Sequence, residues 1–202
     1  MTKENIKELT APLSDDVIAS LKAGDMVLLS GKIITARDAA HKKISELLEA
    51  GTKLSEENLK LLDSIFTKDK NGKQENQTVF YAGPAPAKPD RVIGSVGPTT
   101  AGRMDLYAPL LISMGMKVMI GKGLRAPAVV EAIIKHGGIY FAAIGGAAAL
   151  MAKCVKSSHV IAFEELGTEA VRELLVEKLP LVVAIDSQGN NIYEQGRREF
   201  QR

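Results

Sequence analysis

Gly97 to Asp105, reading GPTTAGRMD, is the stretch on which the fold turns. Two adjacent hydroxyls, Thr99 and Thr100, and one guanidinium, Arg103, stand among the bracketing glycines Gly97 and Gly102. Upstream, Arg91 to Val96 (RVIGSV) alternates apolar with small or polar residues, which predicts a short strand. Downstream, Met104, Leu106, Leu110, Leu111 and Met114 recur at helical spacing up to Gly115. The loop is therefore expected to join the C-terminal end of a strand to a helix N-terminus, where α/β sheets bind ligands. One of the two threonines is placed to cap that helix while the other meets a ligand. A cation in a first helical turn opposes the macrodipole and costs roughly 0.3–1 kcal/mol unless an anion sits there too. Each residue alone has a plain use, as a cap or a solvated side chain. Together they point to an anion-binding loop.

Working outward, the N-terminal part reads as strand material with a short helix. Ile6 to Leu9 is extended, Ser14 caps a helix over Asp15 to Leu21, and strands follow at Met26 to Leu29 and Lys32 to Thr35, separated by a turn at Ser30 and Gly31. A helix from about Ala36 to Ala50 places Ala40, Ile44, Leu47 and Leu48 on one face, with Gly51 as its stop. Leu59 to Phe66 reads as a short amphipathic helix, and the polar run TKDKNGKQENQ at 67 to 77 as a surface insert.

From Thr78 the pattern becomes strand, loop, helix. Thr78 to Ala82 ends in the proline-rich GPAPAKPD, which forbids helix and central ladder. Val118 to Ile120 leads to a helix over Ala126 to His136, and Ile139 to Ile144 to one over Ala147 to Val155. Val160 to Phe163 precedes a helix near Thr168 to Lys178. Leu181 to Ile185 then turns through SQGN onto Asn191 to Tyr193 as a terminal hairpin. Repeated strand-to-helix units predict an α/β fold whose sheet is mixed, partly parallel and covered by helices. The length of 202 residues predicts one domain spanning 1–202.

A net charge of +2, with the two signs interspersed, offers no stripe for a nucleic-acid backbone. Four Tyr, five Phe and no Trp give little surface for stacking bases. The longest uncharged stretch, Gly137 to Ala152, is shorter than the about 20 residues a membrane span needs, and MTKENIKELTAPLSDD contains no apolar leader core. Neither nucleic acid nor membrane is expected as a partner, and a cytoplasmic location is. The single cysteine, Cys154, excludes an internal disulfide and any cysteine-ligated cluster built by this chain alone.

Two further motifs carry chemistry. TARDAAH at 35 to 41 sets Thr35 to cap a helix whose first turns hold Arg37, Asp38 and His41, with Arg37 and His41 four residues apart on one face. A surface ion pair with a capping aspartate is the plainer use of that set. IGKG at 120 to 123 brackets Lys122 with glycines where a strand meets a loop, either as an ordinary turn lysine or as a point charge toward a carboxylate or phosphate. It is not a P-loop, because Leu124 and Arg125 follow rather than Ser or Thr. GGAAAL at 145 to 150 suits close helix packing, and His136, His159 and Cys154 show no metal-ligand spacing.

GPTTAGRMD, with LSGKIITARDAAH upstream and IGKG and IGGAAAL downstream, resembles the β subunit, or C-terminal domain, of the class I iron–sulfur fumarate hydratase and L(+)-tartrate dehydratase family, over about residues 10 to 195. The resemblance implies a swivelling β/β/α domain and the reversible hydration of fumarate to L-malate, or the dehydration of tartrate. It further implies a [4Fe–4S] cluster, with one iron open to substrate, bound by a separate α subunit that carries the cluster cysteines. The assembly implied is an α2β2 or a homo-oligomer of β. By the same resemblance Arg37, Arg103 and Lys122 bind the carboxylates of the dicarboxylate substrate. Thr99, Thr100, Asp38 and His41 form the catalytic set, with Asp38 and His41 orienting Arg37.

Overall fold

The computed structural model describes residues 6–50, 54–66, 68 and 78–200, the side chains of 198–200 excepted. The helix stop expected at Gly51 and, apart from Lys68, the polar insert expected at 67–77 lie outside the described residues. Strands are β1 (Lys7–Ala11), β2 (Met26–Thr35), β3 (Thr78–Phe80), β4 (Val118–Gly121), β5 (Ile139–Ala142), β6 (Val155–Ala162) and β7 (Val171–Ile185). Helices are α1 (Asp15–Ser20), α2 (Asp38–Ala50), α3 (Glu56–Ile65), α4 (Ala108–Ser113), α5 (Pro127–His136), α6 (Ala148–Cys154) and α7 (Ile192–Phe200), with 3-10 turns at Ala101–Met104 and Glu164–Glu169.

The seven strands form one mixed sheet, so the α/β class and the partly parallel sheet follow as expected. β1, β2, β3, β4 and β5 pair in parallel in that order, and β7 runs antiparallel to β5, β6 and β2. Because β7 reaches both β5 and β2, the pairings β2–β3–β4–β5–β7 close into a ring. The central parallel strands are buried on both faces, which explains their nearly continuous apolar runs. Phe80, Val118, Ile120, Ile139 and Phe141 point to one core, closed by Ile18 and Leu21 of the α1 region and Met151 of α6. Val79, Tyr81, Met119 and Tyr140 point to the other, beneath Ala40 and Ile44 of α2, Leu111 and Ile112 of α4, and Val129 and Ile133 of α5. The period of two is what sends neighbours such as Phe80 and Tyr81 into opposite cores.

Several local expectations are corrected. The helix expected at Thr168 to Lys178 is a 3-10 turn followed by the first half of β7. Along β7 the buried residues alternate as Leu174 and Val176, then skip to Leu179, Leu181 and Val183. The skipped step is a bulge in which Lys178 takes a φ of 51° and its N–H donates to Ser30 Oγ at 3.0 Å. That spacing imitates a helical period. The same bulge accounts for β2, a single ten-residue strand rather than two strands and a turn. Gly31 sits there at φ 105°, and a Cβ on it would come within 2.4 Å of the Ala11 carbonyl oxygen, so no larger residue fits beside β1.

RVIGSV at 91 to 96 is not a strand but part of an irregular loop. Ala85 N–H donates to the Ser95 carbonyl at 3.0 Å and Val96 N–H to the Ala148 carbonyl at 3.2 Å, so the loop folds on itself instead of joining a ladder. Thr35 ends β2 and is fully buried with its hydroxyl unpartnered, rather than capping α2. The terminal hairpin reduces to one bridge, Ile185 to Asn191, before α7 begins. Asp186 stabilises the intervening turn by accepting the Gln188 and Asn190 N–H groups at 3.0 Å each.

Candidate functional site

The carboxyl ends of β2, β3 and β4 lie side by side, and the three sequence motifs meet there. Arg37 lies two residues past the end of β2, and Lys122 follows β4. The GPTTAGRMD loop crosses between them although no strand precedes it. Thr99 N–H donates to the Tyr81 carbonyl at 2.7 Å just beyond β3, Lys122 N–H donates to the Thr99 carbonyl at 3.2 Å, and Ala101 N–H to the Lys122 carbonyl at 2.8 Å. Thr100 and Lys122 thus pair as an isolated parallel bridge. The loop acts as an extra rung laid across the strand ends, which leaves Thr99 half-buried and Thr100 exposed.

Each cation is held differently. Arg103, on the 3-10 turn, donates from Nη2 to Asp38 Oδ2 at the start of α2. Its partner at the short helix is therefore a side chain of this same chain. Arg37 Nη2 lies 3.5 Å from Glu169 Oε1, and Glu169 Oε2 accepts the Ala39 N–H at 3.1 Å. Glu169 thus neutralises Arg37 and supplies the α2 N-terminus with the acceptor that Thr35 does not. The guanidinium also lies against Gly83, where a Cβ would stand 2.7 Å from Arg37 Nη1 and 2.9 Å from its Cδ. Lys122 is exposed, and its ammonium has no carboxylate partner among the described residues. Arg37 Nε and Asp38 Oδ1 are buried without a hydrogen-bond partner, a costly state.

His41 lies beneath the surface at 1% exposure, its ring packed edge-on to Tyr81 with centroids 5.3 Å apart. Its Nδ1 is 2.9 Å from the Arg37 carbonyl, an acceptor, so Nδ1 carries the proton. Burial pushes the imidazole pKa down to about 4, with the nearby Arg125 charge adding to the effect. It is neutral at pH 7. Asp38, expected to orient Arg37, pairs instead with Arg103.

Sequence reading missed three residues here. Glu169 was hidden inside the mistaken helix. Asp105 was read only as the end of a motif, and Arg125 only as a departure from the P-loop pattern. Arg125 is buried, donates from Nε to Asp105 Oδ1 at 2.7 Å, and lies over the rings of Tyr140 and Tyr81 at 4.9 and 5.3 Å. The signal was available: like Arg103, it is a cation set at the start of a helix, where the macrodipole opposes it.

Fold and site define a mixed α/β protein that gathers three cations and two hydroxyls at the carboxyl ends of adjacent parallel strands. The chain belongs to the Fumarase C-terminus family, whose sequence model matches residues 2–196. It is 38% identical over 192 residues to the anaerobic class I fumarate hydratase of Escherichia coli K12, covering 94% of this chain and 31% of that protein. It is 38% identical over 180 residues to fumarate hydratase 2 of Leishmania major, covering 88% of this chain and 29% of that one. A Methanocaldococcus jannaschii protein named "Putative L(+)-tartrate dehydratase subunit beta" is 40% identical over 184 residues, 88% of this chain and 86% of its own length. The chain thus spans about a third of the fumarate hydratases it matches and most of the subunit.

Proposed function

We propose that this chain is the β subunit of a hydro-lyase that hydrates fumarate reversibly to L-malate, acting only with a separate α subunit. The observation that carries the reading is the convergence of Arg37, Arg103 and Lys122 on neighbouring strand ends, with Thr99 and Thr100 between them. A dicarboxylate needs two cationic contacts, and a third allows discrimination between its ends. Removing a proton beside a carboxylate builds a dianionic aci-carboxylate, so fixed cations there favour the transition state over the ground state. One threonine hydroxyl lies at the reacting carbons. Its own pKa is far too high for a base at pH 7, so it works with an ionisable group from the α subunit. Asp38 and His41 act by holding Arg103 and the Arg37 backbone rather than by carrying protons, since His41 is buried and neutral.

The family's [4Fe–4S] cluster needs several thiolates. Cys154, the single cysteine, donates weakly to the Lys178 carbonyl at 3.8 Å, and burial pushes its thiol pKa up. Among the described residues no group of three or more His, Cys, Asp or Glu could hold a metal ion. These residues do not fit the cluster as ligands, and we assign it to the α subunit. The chain's own part is confined to charge, orientation and the hydroxyls.

The match over most of a tartrate dehydratase β subunit makes L(+)-tartrate the second substrate to test. In this reading residues 1–202 form one swivelling β/β/α domain, supported by a sheet continuous across both cores, in a cytoplasmic α2β2 assembly. Among the described residues no helix is long and apolar enough to cross a membrane. The test is anaerobic turnover of malate, fumarate and tartrate by the chain alone and by the chain mixed with a cluster-reconstituted α subunit. Activity only in the mixture supports the assignment. Silence in both with all three substrates refutes it and leaves a non-catalytic anion-binding module.

A further inference from the structure

The loop with Thr99, Thr100 and Arg103 and the turn with Lys122 are tied together from below by groups that cannot reach a ligand. Arg125 has no exposed side-chain surface, and Asp105 has 11%. Asp105 lies two residues after Arg103, and Arg125 three after Lys122. Their 2.7 Å ion pair therefore spans the two segments, and Asp105 Oδ2 also accepts the Ala126 N–H at 2.5 Å. The network reaches each segment again from behind. Arg125 Nη2 donates to the Tyr81 hydroxyl at 3.5 Å, and the Tyr81 carbonyl receives the Thr99 N–H. Arg125 packs on the Tyr140 ring, and the Tyr140 hydroxyl donates to the Gly123 carbonyl at 3.0 Å.

We propose that Arg125 and Asp105 are positioning residues that set the spacing between the Arg103 and Lys122 cations. The proposal rests on the reading that both bind one dicarboxylate. A buried ion pair contributes little net stability over an apolar pair of similar size, so burying this one makes most sense as a geometric device. The planar guanidinium suits that work, because its donors leave in fixed directions: Nε to Asp105, Nη1 to Met119 Sδ at 3.4 Å and Nη2 to Tyr81. A lysine would keep the charge and lose the directions. Positional errors of about 1 Å at a clamp cost about a hundredfold in rate.

The test compares full-length wild type, R125K and D105N, the last retaining an acceptor for the Ala126 N–H. The first readout, on the chain alone, is amide hydrogen exchange. Thr99, Ala101 and Lys122 should exchange at least about tenfold faster in both variants while Val183 on β7 keeps its wild-type protection. Equal protection at all four amides overturns the proposal, as does a uniform loss, which marks a merely structural pair. The second readout is kinetics in the assembled complex, where kcat/KM should fall about a hundredfold, with kcat falling by more than KM rises. A wild-type kcat/KM in a folded variant overturns the proposal. A wild-type complex inactive on fumarate, malate and tartrate instead refutes the proposed function, and the exchange result then decides the positioning claim by itself.

Discussion

His41 gives the sharpest stability prediction. Burial favours the neutral ring in the folded chain and lowers its pKa from the ordinary 6.5 to about 4. As pH falls below 6.5 the unfolded chain binds a proton at this position and the folded chain does not. The group's contribution is therefore complete above the unfolded value and is lost as pH falls toward the folded value, with stability rising with pH across that window. From the two values the loss at a pH of about 4.5 comes to roughly 2–3 kcal/mol. That is a large share of a typical domain's roughly 5–15 kcal/mol. The assay is urea unfolding of wild type and His41→Asn from pH 7 downward. Asparagine offers an N–H to the Arg37 carbonyl and has no proton to gain. Its cost in packing is independent of pH, so the wild-type advantage should shrink by roughly 2–3 kcal/mol between pH 7 and about 4.5. Other carboxylates and histidines cancel in the difference. Parallel pH profiles for the two proteins would refute the claim that a buried, neutral His41 underlies the site.

The other predictions concern binding and support. In the assembled complex Arg103→Ala should lower kcat/KM by about 10²–10³, the scale for removing one donor from a developing anion, whereas Cys154→Ser should leave it near wild type. Steady-state kinetics on the two variants decides this, and equal values would remove Arg103 from the clamp. Glu169→Gln keeps an acceptor for the Ala39 N–H but removes the charge facing Arg37, so KM should change with a stability loss below about 1 kcal/mol. Glu169→Ala loses both contacts and should show the larger loss in denaturant unfolding. Gly83→Ala places a methyl within 2.7 Å of Arg37 Nη1 and 3.0 Å of the Thr168 carbonyl oxygen. It should cost about 1–3 kcal/mol in the same unfolding assay and raise KM by displacing the guanidinium.

Where sequence reading succeeded, the signal was local. Ser14 caps α1 by accepting the Val17 N–H at 3.3 Å, and α5 opens with Pro127 and closes before Gly137, because caps and breakers act within one turn of the residues that encode them. Arg103 and Lys122 stand out because glycines lie beside them, whereas Arg37 has none beside it and a surface ion pair is the plainer use of its motif, so the family resemblance is what singles it out. Where it failed, the deciding contact was distant. RVIGSV alternates like a strand, yet its backbone pairs with Ala85 and Ala148 instead of a ladder. The segment after Thr168 carries a helical spacing of leucines, yet its partners are β2, β5 and β6.

By itself the sequence determined a mixed α/β chain with Arg37 and Lys122 just past the ends of strands, since hydrophobic period, turn residues and motif chemistry are properties of neighbours along the chain. That the Thr99–Arg103 loop lies across those ends was decided by its bonds to Tyr81 and Lys122. Only the tertiary structure decided that β7 closes the sheet against β2 and that Glu169, brought in by that closure, holds Arg37. It also decided that Asp38 serves Arg103, and that Asp105 meets Arg125 beneath the site. Each is a pairing between residues far apart in sequence. Such pairings follow from which strand lies beside which, and one bulge at Lys178, by breaking the alternation, was enough to conceal the strand that settles it.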